Sequence, residues 1–402
     1  MKVNCAYRYE MKPNAKQRIL FSQHVGAARF AYNWGLQQRI ALYEQEKKST
    51  NAMEQHRQLN SLKENTFPWM YEVSKCSPQE ALRDLDRAFQ NFFRGIRKGQ
   101  SIGFPSFKKR GRHDSCRFTG TIKVGSKEIQ LPRLGVIRLK EKTKVRGRIL
   151  SATIVREADR WFVCLPVEME KPDPSPIEGA PIGIDVGLTC FAALSNGDKI
   201  HSPKPLAKNL KRLKRASRQH SKKVKGSNNR KKSALKLAHI HRNNRNIRKD
   251  FLHKQTTMLA KTKSVIVLED LDVKGMMSKK CLSRCISDAG WREFRCMLEY
   301  KTKWYGSSLI IAPRFYPSSK TCSNCGHLID KLPLEIREWR CEVCQSIHDR
   351  DLNAAKNLLR FNTGSSPGIY ACGDTSYGAN RKFASNVSMK QEVMNGIFVH
   401  KL

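Results

Sequence analysis

Residues 182–187 read Ile-Gly-Ile-Asp-Val-Gly, an apolar run interrupted by one acid. In a strand, alternation places the three β-branched side chains on one face and Asp185 on the other, between two glycines. A strand-borne acid costs free energy unless it is coordinated or hydrogen-bonded. The glycines predict open space around the carboxylate, as a metal ion or a nucleic-acid backbone requires. The alternative is an aspartate bonded to a turn at the end of the strand.

Two further acids lie at the ends of predicted elements. Glu269 follows the apolar strand 265–268, and acids at strand ends in α/β proteins cluster where ligands bind. Asp351 opens the last predicted helix, from about 349 to 360, in which two alanines allow close packing on a sheet. Together with Asp185, these acids indicate a hydrolase that cuts phosphodiesters with two divalent ions about 4 Å apart. Ligands that are all oxygen favour Mg²⁺, with Mn²⁺ as the alternative.

Structural roles for neighbouring acids remain open at this point. Glu269 or Asp270 can cap the segment that follows the strand. Asp349 is placed to be the N-cap of the last helix.

The order of elements after residue 177 predicts the fold of the second half. Three strands at 181–186, 188–194 and 199–201 precede two helices in the span 201–250, and strand, helix, strand and helix follow. This is the layout of an RNase H-like α/β domain, a mixed sheet with helices on its faces. We assign it residues 177–361, after a proline-rich linker at 172–176. The tail 362–402 lacks a clear period and is expected to be poorly ordered.

Four of the thirteen cysteines have the spacing of a metal site. Cys322 and Cys325 form one Cys-x-x-Cys pair, Cys341 and Cys344 form a second, and fifteen residues separate the pairs. This spacing predicts a tetrahedral Zn²⁺ site inside a hairpin at 318–347. Four thiolates leave no open position, so the predicted role is structural. Two redox pairs are the alternative, but no thioredoxin-like pattern surrounds them.

The first half of the chain predicts a different module. A strand at 3–10 precedes helices that extend from Asn14 to about 45 and from 77 to about 97, and several short strands follow up to residue 170. We therefore predict a β-barrel module over residues 1–171 with a helical insert at about 14–112. The whole chain is then an α+β multidomain protein.

Charge indicates the class of partner. The 402 residues contain 76 Lys and Arg against 35 Asp and Glu, a formal charge of +41. The span 201–250 alone has eighteen cations and one acid, Asp250, which suits the phosphates of a nucleic acid. No apolar run is long enough to span a bilayer and the start lacks an apolar signal core, so we expect no membrane association. The expected location is the cytoplasm of a prokaryote, at the nucleoid.

Several motifs resemble the TnpB family, proteins encoded by insertion sequences and related to type V CRISPR effectors. The most specific matches surround both cysteine pairs and the start of the last helix, and the N-terminal matches are softer: 318–326, 339–344, 348–357, 183–187, 268–271, 286–291, 27–33 and 103–108. The resemblance covers the chain to about residue 360. One departure is Gln345, where the family usually has Gly after the fourth cysteine.

The resemblance implies an RNA-guided DNA endonuclease. Family members bind an RNA from the transposon end, read a short motif beside the target and cut double-stranded DNA in one RuvC-like site. By matching motifs, Asp185, Glu269 and Asp351 take the metal-ligand roles. The N-terminal module then corresponds to a wedge domain with a recognition insert, and no small-molecule substrate is expected.

Lys75 and Gln79, at the start of the second helix, are our candidates for reading the flanking motif. Glutamine can pair bidentately with adenine in the major groove. An ordinary exposed helix start is the alternative for each residue.

Three rival functions fit parts of the pattern. A guide-RNA complex that only occupies DNA would have a broken set of acids. A transposase of the Asp-Asp-Glu type has its glutamate last, on a helix. A junction resolvase needs neither the barrel module nor the zinc hairpin.

Overall fold

The computed structural model describes residues 1–362, and the predicted tail lies outside them except for Asn362, which ends the last helix. The N-terminal part begins with a strand, continues with three helices and ends with seven strands. These are β1 (Lys2–Met11), α1 (Ala15–Glu46), α2 (Ala52–Ser61), α3 (Cys76–Arg97), β2 (Ser115–Phe118), β3 (Lys123–Val124), β4 (Glu128–Leu131), β5 (Gly135–Arg138), β6 (Arg148–Ile149), β7 (Ala152–Glu157) and β8 (Arg160–Glu170).

Asn14 begins α1, as the sequence predicts. Its side chain accepts a hydrogen bond from the Gln17 N–H (2.8 Å), and the Gln17 side chain accepts one from the Asn14 N–H (3.1 Å). Two of the unpaired N–H groups at the helix start are satisfied in this reciprocal way. Helix α2, which the sequence analysis did not predict, begins with the same arrangement between Asn51 and Glu54.

The predicted β-barrel is wrong, because the described strands form two open sheets. One has the order β1-β8-β7-β2, with β6 paired to the far end of β8. The other is a separate meander, β3-β4-β5, which meets the first sheet through a single bridge between Met11 and Leu139. Strand β8 is long enough to pair with β1 along its whole length, from Trp161 to Glu170, while β2 pairs only with β7. The first sheet therefore keeps two edges.

The helices of the predicted insert share one core with these sheets. Phe21 from α1, Leu82 from α3, Ile129 from β4 and Val163 from β8 are fully buried in the same cluster. Segments 14–112 and 115–170 thus pack as one unit.

The second part contains five strands of a mixed sheet, a small hairpin and seven helices. These are β9 (Ile182–Val186), β10 (Ala192–Leu194), β11 (Lys199–Ile200), α4 (Pro205–Lys208), α5 (Leu210–Ser221), α6 (Asn228–Thr262), β12 (Val265–Glu269), α7 (Val273–Ser278), α8 (Lys280–Ala289), α9 (Trp291–Tyr305), β13 (Ser308–Ala312), β14 (Glu338–Arg340), β15 (Ile347–Asp349) and α10 (Arg350–Asn362). The sheet order is β11-β10-β9-β12-β13, with β9, β12 and β13 parallel. The predicted linker has no regular structure between β8 and β9.

Helices cover both faces of this sheet. On one face, Ile184 and Leu268 pack with Phe294 and Leu298 of α9 and Leu252 of α6. On the other face, Val267 and Ala312 pack with Leu358 of α10. No helix among the described residues combines the length and apolar character needed to cross a membrane.

Candidate active site

Asp185 and Glu269 lie on neighbouring parallel strands at the same edge of the mixed sheet. The pairing of β9 with β12 places Ile184 beside Leu268, so the acids one residue further along are neighbours on the opposite face. Adjacent strands lie about 4.8 Å apart, which keeps the two backbones close. The topology therefore brings together two of the three acids that the sequence analysis selected.

Asp351 reaches the same edge through the packing of α10 on β9. A Cβ atom at Gly183 would lie 2.1 Å from the Ala355 carbonyl oxygen and 2.6 Å from the Leu359 nitrogen, so the helix backbone touches the strand there. Moving two residues along β9 to Asp185 covers about 6.6 Å, and moving one turn back along α10 to Asp351 covers about 6 Å. The charge of Asp351 accordingly helps to raise the pKa of Asp185, so the two acids are neighbours.

The role predicted for Gly183 is wrong. The glycine does not leave open space around the acid, because the backbone of α10 fills that space. Its function is to let the helix that carries Asp351 approach the strand that carries Asp185. Ala354 and Ala355, both buried, contribute to the same close packing, as the sequence predicts.

Asp185 lies in a desolvated site beside two other acids whose charges repel its carboxylate. Burial, followed by the nearby charges of Asp351 and Glu269, holds the pKa of Asp185 well above its ordinary value. Burial and the adjacent Asp270 raise the pKa of Glu269 to about 6. Neither carboxylate has a hydrogen-bond or ion-pair partner in the described part of the chain, whereas Asp351 is 3.3 Å from Nη1 of Arg337.

The neighbouring acids have structural partners instead. Asp270 forms ion pairs with Arg295 and with Nη2 of Arg314 (3.2 Å). Asp349 caps α10, since its Oδ1 accepts from the N–H groups of Asp351 and Leu352, both at 3.0 Å. Capping by Asp349 is therefore confirmed, and Asp270 is tied to arginines while Glu269 is left without a partner.

The acids are spread more widely than the ligands of one small ion. Within residues 1–362, the cysteines are the one group of three or more candidate ligands whose atoms all lie within 4.8 Å of one another.

A cavity of about 340 Å³ opens beside Glu269, lined in part by Lys274, Arg292 and Arg295.

Cys322, Cys325, Cys341 and Cys344 converge on one point, as their spacing predicts. Cys322 Sγ is 3.6 Å from Cys344 Sγ, and Cys325 Sγ is 3.5 Å from Cys341 Sγ. Two tight turns present the pairs, with Gly326 (φ +82°) after the first and Gln345 (φ +57°) after the second. Four sulfurs at this spacing suit a tetrahedral metal such as Zn²⁺.

Two buried asparagines, missed by the sequence analysis as functional residues, tie the cysteine hairpin to α10. The Asn353 side chain accepts from the Ser323 N–H (2.8 Å) and donates to the Thr321 carbonyl (2.8 Å). One turn later, Asn357 Nδ2 donates to the Ser318 carbonyl (2.8 Å). The only available signal was their i, i+4 spacing beside Asp351, which puts both on one face of the helix.

Lys75 immediately precedes α3, and Gln79 is the fourth residue of that helix. Lys75 is exposed and lines a cavity of about 410 Å³ together with Lys63 and Arg133. Gln79 is half-buried one turn into the helix. The two candidates for motif reading are thus about one helical turn apart, and Lys75 lies on a cationic surface.

The cations of the span 201–250 differ in whether an acid is paired with them. On α6, Arg242 and His239 contact Asp159 at 3.2 and 2.7 Å, and Arg245 pairs with Glu157, so the β7–β8 turn neutralises this part of the helix. On α5, the five Lys and Arg are exposed and have no acidic partner among the described residues: Lys211, Arg212, Lys214, Arg215 and Arg218. The α5 cations are thus free for a phosphate backbone, as are other exposed lysines of the span such as Lys222, Lys225 and Lys232.

Comparison with known proteins covers nearly the whole chain. The family model described as "Probable transposase" matches residues 164–280, "Cas12f1-like, TNB domain" matches 291–358, and "Helix-turn-helix domain" matches 1–48. A Streptomyces pristinaespiralis protein named "Putative RNA-guided DNA endonuclease" is 37% identical over 378 residues, 92% of each chain. The chain belongs to the TnpB family. An Escherichia coli K12 member, "Putative RNA-guided DNA endonuclease InsQ", is 32% identical over 92% of this chain and 94% of its own.

A solved structure shows that the fold is shared with CRISPR effectors. The Cas12f1 chain in a cryo-EM complex with sgRNA and target DNA matches with a TM-score of 0.54 at 14% identity, over 89% of this chain and 99% of that chain. At this identity the likeness concerns the fold alone. The segment matched as helix-turn-helix is one strand followed by one continuous helix here.

Proposed function

We propose that this member of the TnpB family is an RNA-guided DNA endonuclease that cuts with Asp185, Glu269 and Asp351. The observation that carries the proposal is the meeting of three acids from distant segments at one sheet edge, two of them without a protein partner. Buried acids that repel one another and have no partner cost stability and are typical of functional sites. The reaction, cleavage of DNA, and its guidance by RNA are inferred from the names of the relatives.

The donor set fits hard divalent cations. All three groups offer carboxylate oxygens, and their mutual repulsion would be relieved by positive charge. When bound, two Mg²⁺ ions, or Mn²⁺, supply Lewis-acid activation of water and neutralise charge on the scissile phosphate. The three acids hold the site and Arg337 orients Asp351. Lys274 and Arg292, which line the cavity beside Glu269, are placed to contact the DNA backbone.

Guide RNA and target DNA are proposed to bind along α5. Its five exposed cations have no acid to compete with phosphates, whereas those of α6 near the β7–β8 turn are already paired. Binding of this kind recognises backbone and not sequence.

The cysteine cluster is proposed to hold one structural Zn²⁺. Its small apolar cluster, around Trp339, has few members, so the metal would supply much of the free energy that folds the hairpin. Because Asn353 and Asn357 bond the hairpin to α10, zinc would also fix the helix that carries Asp351.

Reading of the flanking motif by Lys75 and Gln79 stays a prediction. If the prediction is right, Gln79→Ala changes the preferred motif in a library of randomised flanks. An unchanged preference would remove Gln79 from the reading site.

The experiment that tests the proposed function is cleavage of a plasmid library with randomised flanks. The protein is expressed with RNA from its own locus, with and without Mg²⁺, beside Asp185→Ala. We expect cutting that depends on the guide and on Mg²⁺ and is lost in the variant. Binding without cutting by the unmodified protein would indicate a guided repressor, and cutting that ignores the guide would reject RNA guidance.

A further inference from the structure

Phe315 is the most exposed large apolar side chain in the described part of the chain, at 92% of its full surface. Single apolar side chains on a surface are ordinary and call for no function. What distinguishes Phe315 is a turn that holds the ring in solvent and a position beside the carboxylates.

The turn that carries Phe315 is fastened on both sides. The Tyr316 N–H donates to the Pro313 carbonyl (3.0 Å), closing the turn. Tyr316 is anchored inward, since its hydroxyl donates to the Asn357 carbonyl (3.1 Å) and its ring packs against Phe361. Arg314 is anchored by its ion pair with Asp270. With both neighbours fixed, the Phe315 ring is held outward by the turn.

The turn begins at the edge where the acids meet. Ala312 is the register partner of Glu269, and its carbonyl accepts a hydrogen bond from the Asp270 N–H (3.1 Å). Phe315 follows three residues later, at most about 10 Å of chain beyond this point. That distance equals roughly three steps of a stacked strand of DNA.

From this placement we propose that Phe315 is a stacking platform for a base of the single-stranded DNA that enters the carboxylate site. An exposed ring can stack on any base, so the contact would position the strand without reading its sequence. The contact rests on the proposed function, because it assumes that DNA reaches the acids. It makes Phe315 a positioning residue for the scissile phosphate.

Single-turnover cleavage by the guided complex tests the positioning role. We expect Phe315→Ala to slow cutting by about tenfold, the lower part of the range measured for base–aromatic stacking. Phe315→Trp should recover most of the lost rate. Met53→Ala, which truncates another exposed apolar side chain, on α2, is the matched control.

The decisive readout is an abasic scan of the nucleotides flanking the cut. One abasic position should slow the unmodified protein and have no further effect on Phe315→Ala, since the base and the ring would form one contact. Equal rates for Phe315→Ala and the unmodified protein, or additive effects at every position, would overturn the proposal.

A second experiment tests the contact between Phe315 and DNA without requiring cleavage. DNA that carries 5-iododeoxyuridine at single positions is photocrosslinked to the guided Asp185→Ala complex, and the adducts are mapped by mass spectrometry. An adduct on Phe315 supports stacking, and DNA that binds but crosslinks elsewhere contradicts it. Failure of the unmodified protein to cut would count against the proposed function, while the crosslink still decides the contact.

Discussion

The cysteine cluster and the carboxylate cluster are both sets of metal-type ligands, but they are assembled in opposite ways. Four cysteines come from one hairpin of 30 residues, 318–347, and their spacing alone brings them together. The three acids come from positions 185, 269 and 351 and meet only because the sheet and α10 are in place. The first cluster is expected to stabilise its surroundings when metal is bound, and the second to cost stability for the sake of function.

The largest expected effect is loss of the cysteine site. Cys341→Ser removes one of four ligands, and structural Zn²⁺ contributes on the order of 10 kcal/mol to the folding of small domains. We expect the hairpin to unfold locally, the zinc content to fall and cutting to be lost. Zinc content by mass spectrometry and limited proteolysis within 318–347 measure this. A protease-resistant hairpin without zinc would show that the cysteines are not a structural metal site.

The second largest expected effect concerns the hydrogen bonds that join the cysteine hairpin to α10, the helix that carries Asp351. Asn353→Ala leaves the buried Ser323 N–H without a partner and removes one of the two hydrogen bonds to the Thr321 carbonyl, which Asn357 still bonds; the cost is about 1–3 kcal/mol. We expect lower stability and slower cutting with zinc retained, measured by denaturant unfolding and zinc content. The control is Lys356→Ala, an exposed change on the same helix. If both variants behave alike, the hairpin and α10 are not coupled through Asn353.

Removing one charge from the three acids should raise the stability of the protein, whereas the two changes above lower it. Asp185→Asn relieves the repulsion and desolvation that raise the pKa of Asp185, so we expect a gain on the order of 1 kcal/mol in the free energy of unfolding without divalent ions at pH 7. A carboxyl whose pKa is raised by folding costs stability above its unfolded pKa. The gain should therefore shrink as the pH falls toward about 4. Thermal unfolding of both proteins across pH measures it, and a loss of stability in Asp185→Asn would contradict it.

The smallest expected effect concerns the turn that follows the second cysteine pair. Gln345 has a φ of +57°, where glycine is favoured, although its side chain donates to the Glu342 carbonyl (2.9 Å). We expect Gln345→Gly to stabilise the hairpin by about 0.5–1 kcal/mol. Gly326→Ala, at the matching position of the first turn, should destabilise it. Chelator competition for zinc compares the two, and equal affinities would show that the turns are not under this constraint.

Most features set by residues close together in the sequence were predicted correctly, whereas most features set by packing between distant segments were not. Local signals were reliable: the cysteine spacing, the Asn14 cap and the split of the cationic span into α5 and α6 are confirmed. The single helix predicted between the strand at 265–268 and the next strand is three helices, α7, α8 and α9, and Gly290 (φ +74°) separates the last two.

Features set by packing between distant segments were harder to predict. The barrel was predicted from a succession of short strands, but closure depends on which edges pair, and β2 has only β7. Pairing of α6 cations with Glu157 and Asp159 depends on where the β7–β8 turn lands. The roles of Asn353 and Asn357 likewise require the hairpin to be placed against α10.

The central claim is that Asp185, Glu269 and Asp351 act as one catalytic unit, while the adjacent Asp270 is structural. Single-turnover cleavage of target already bound by the guided complex tests it for Asp185→Asn, Glu269→Gln, Asp351→Asn and Asp270→Asn. We predict that each of the first three slows cutting by at least about 1,000-fold, as for residues that act as a unit, and that Asp270→Asn stays within about tenfold of the unmodified protein. Cutting that survives Asp185→Asn, or that depends on Asp270 and not on Glu269, would contradict the account.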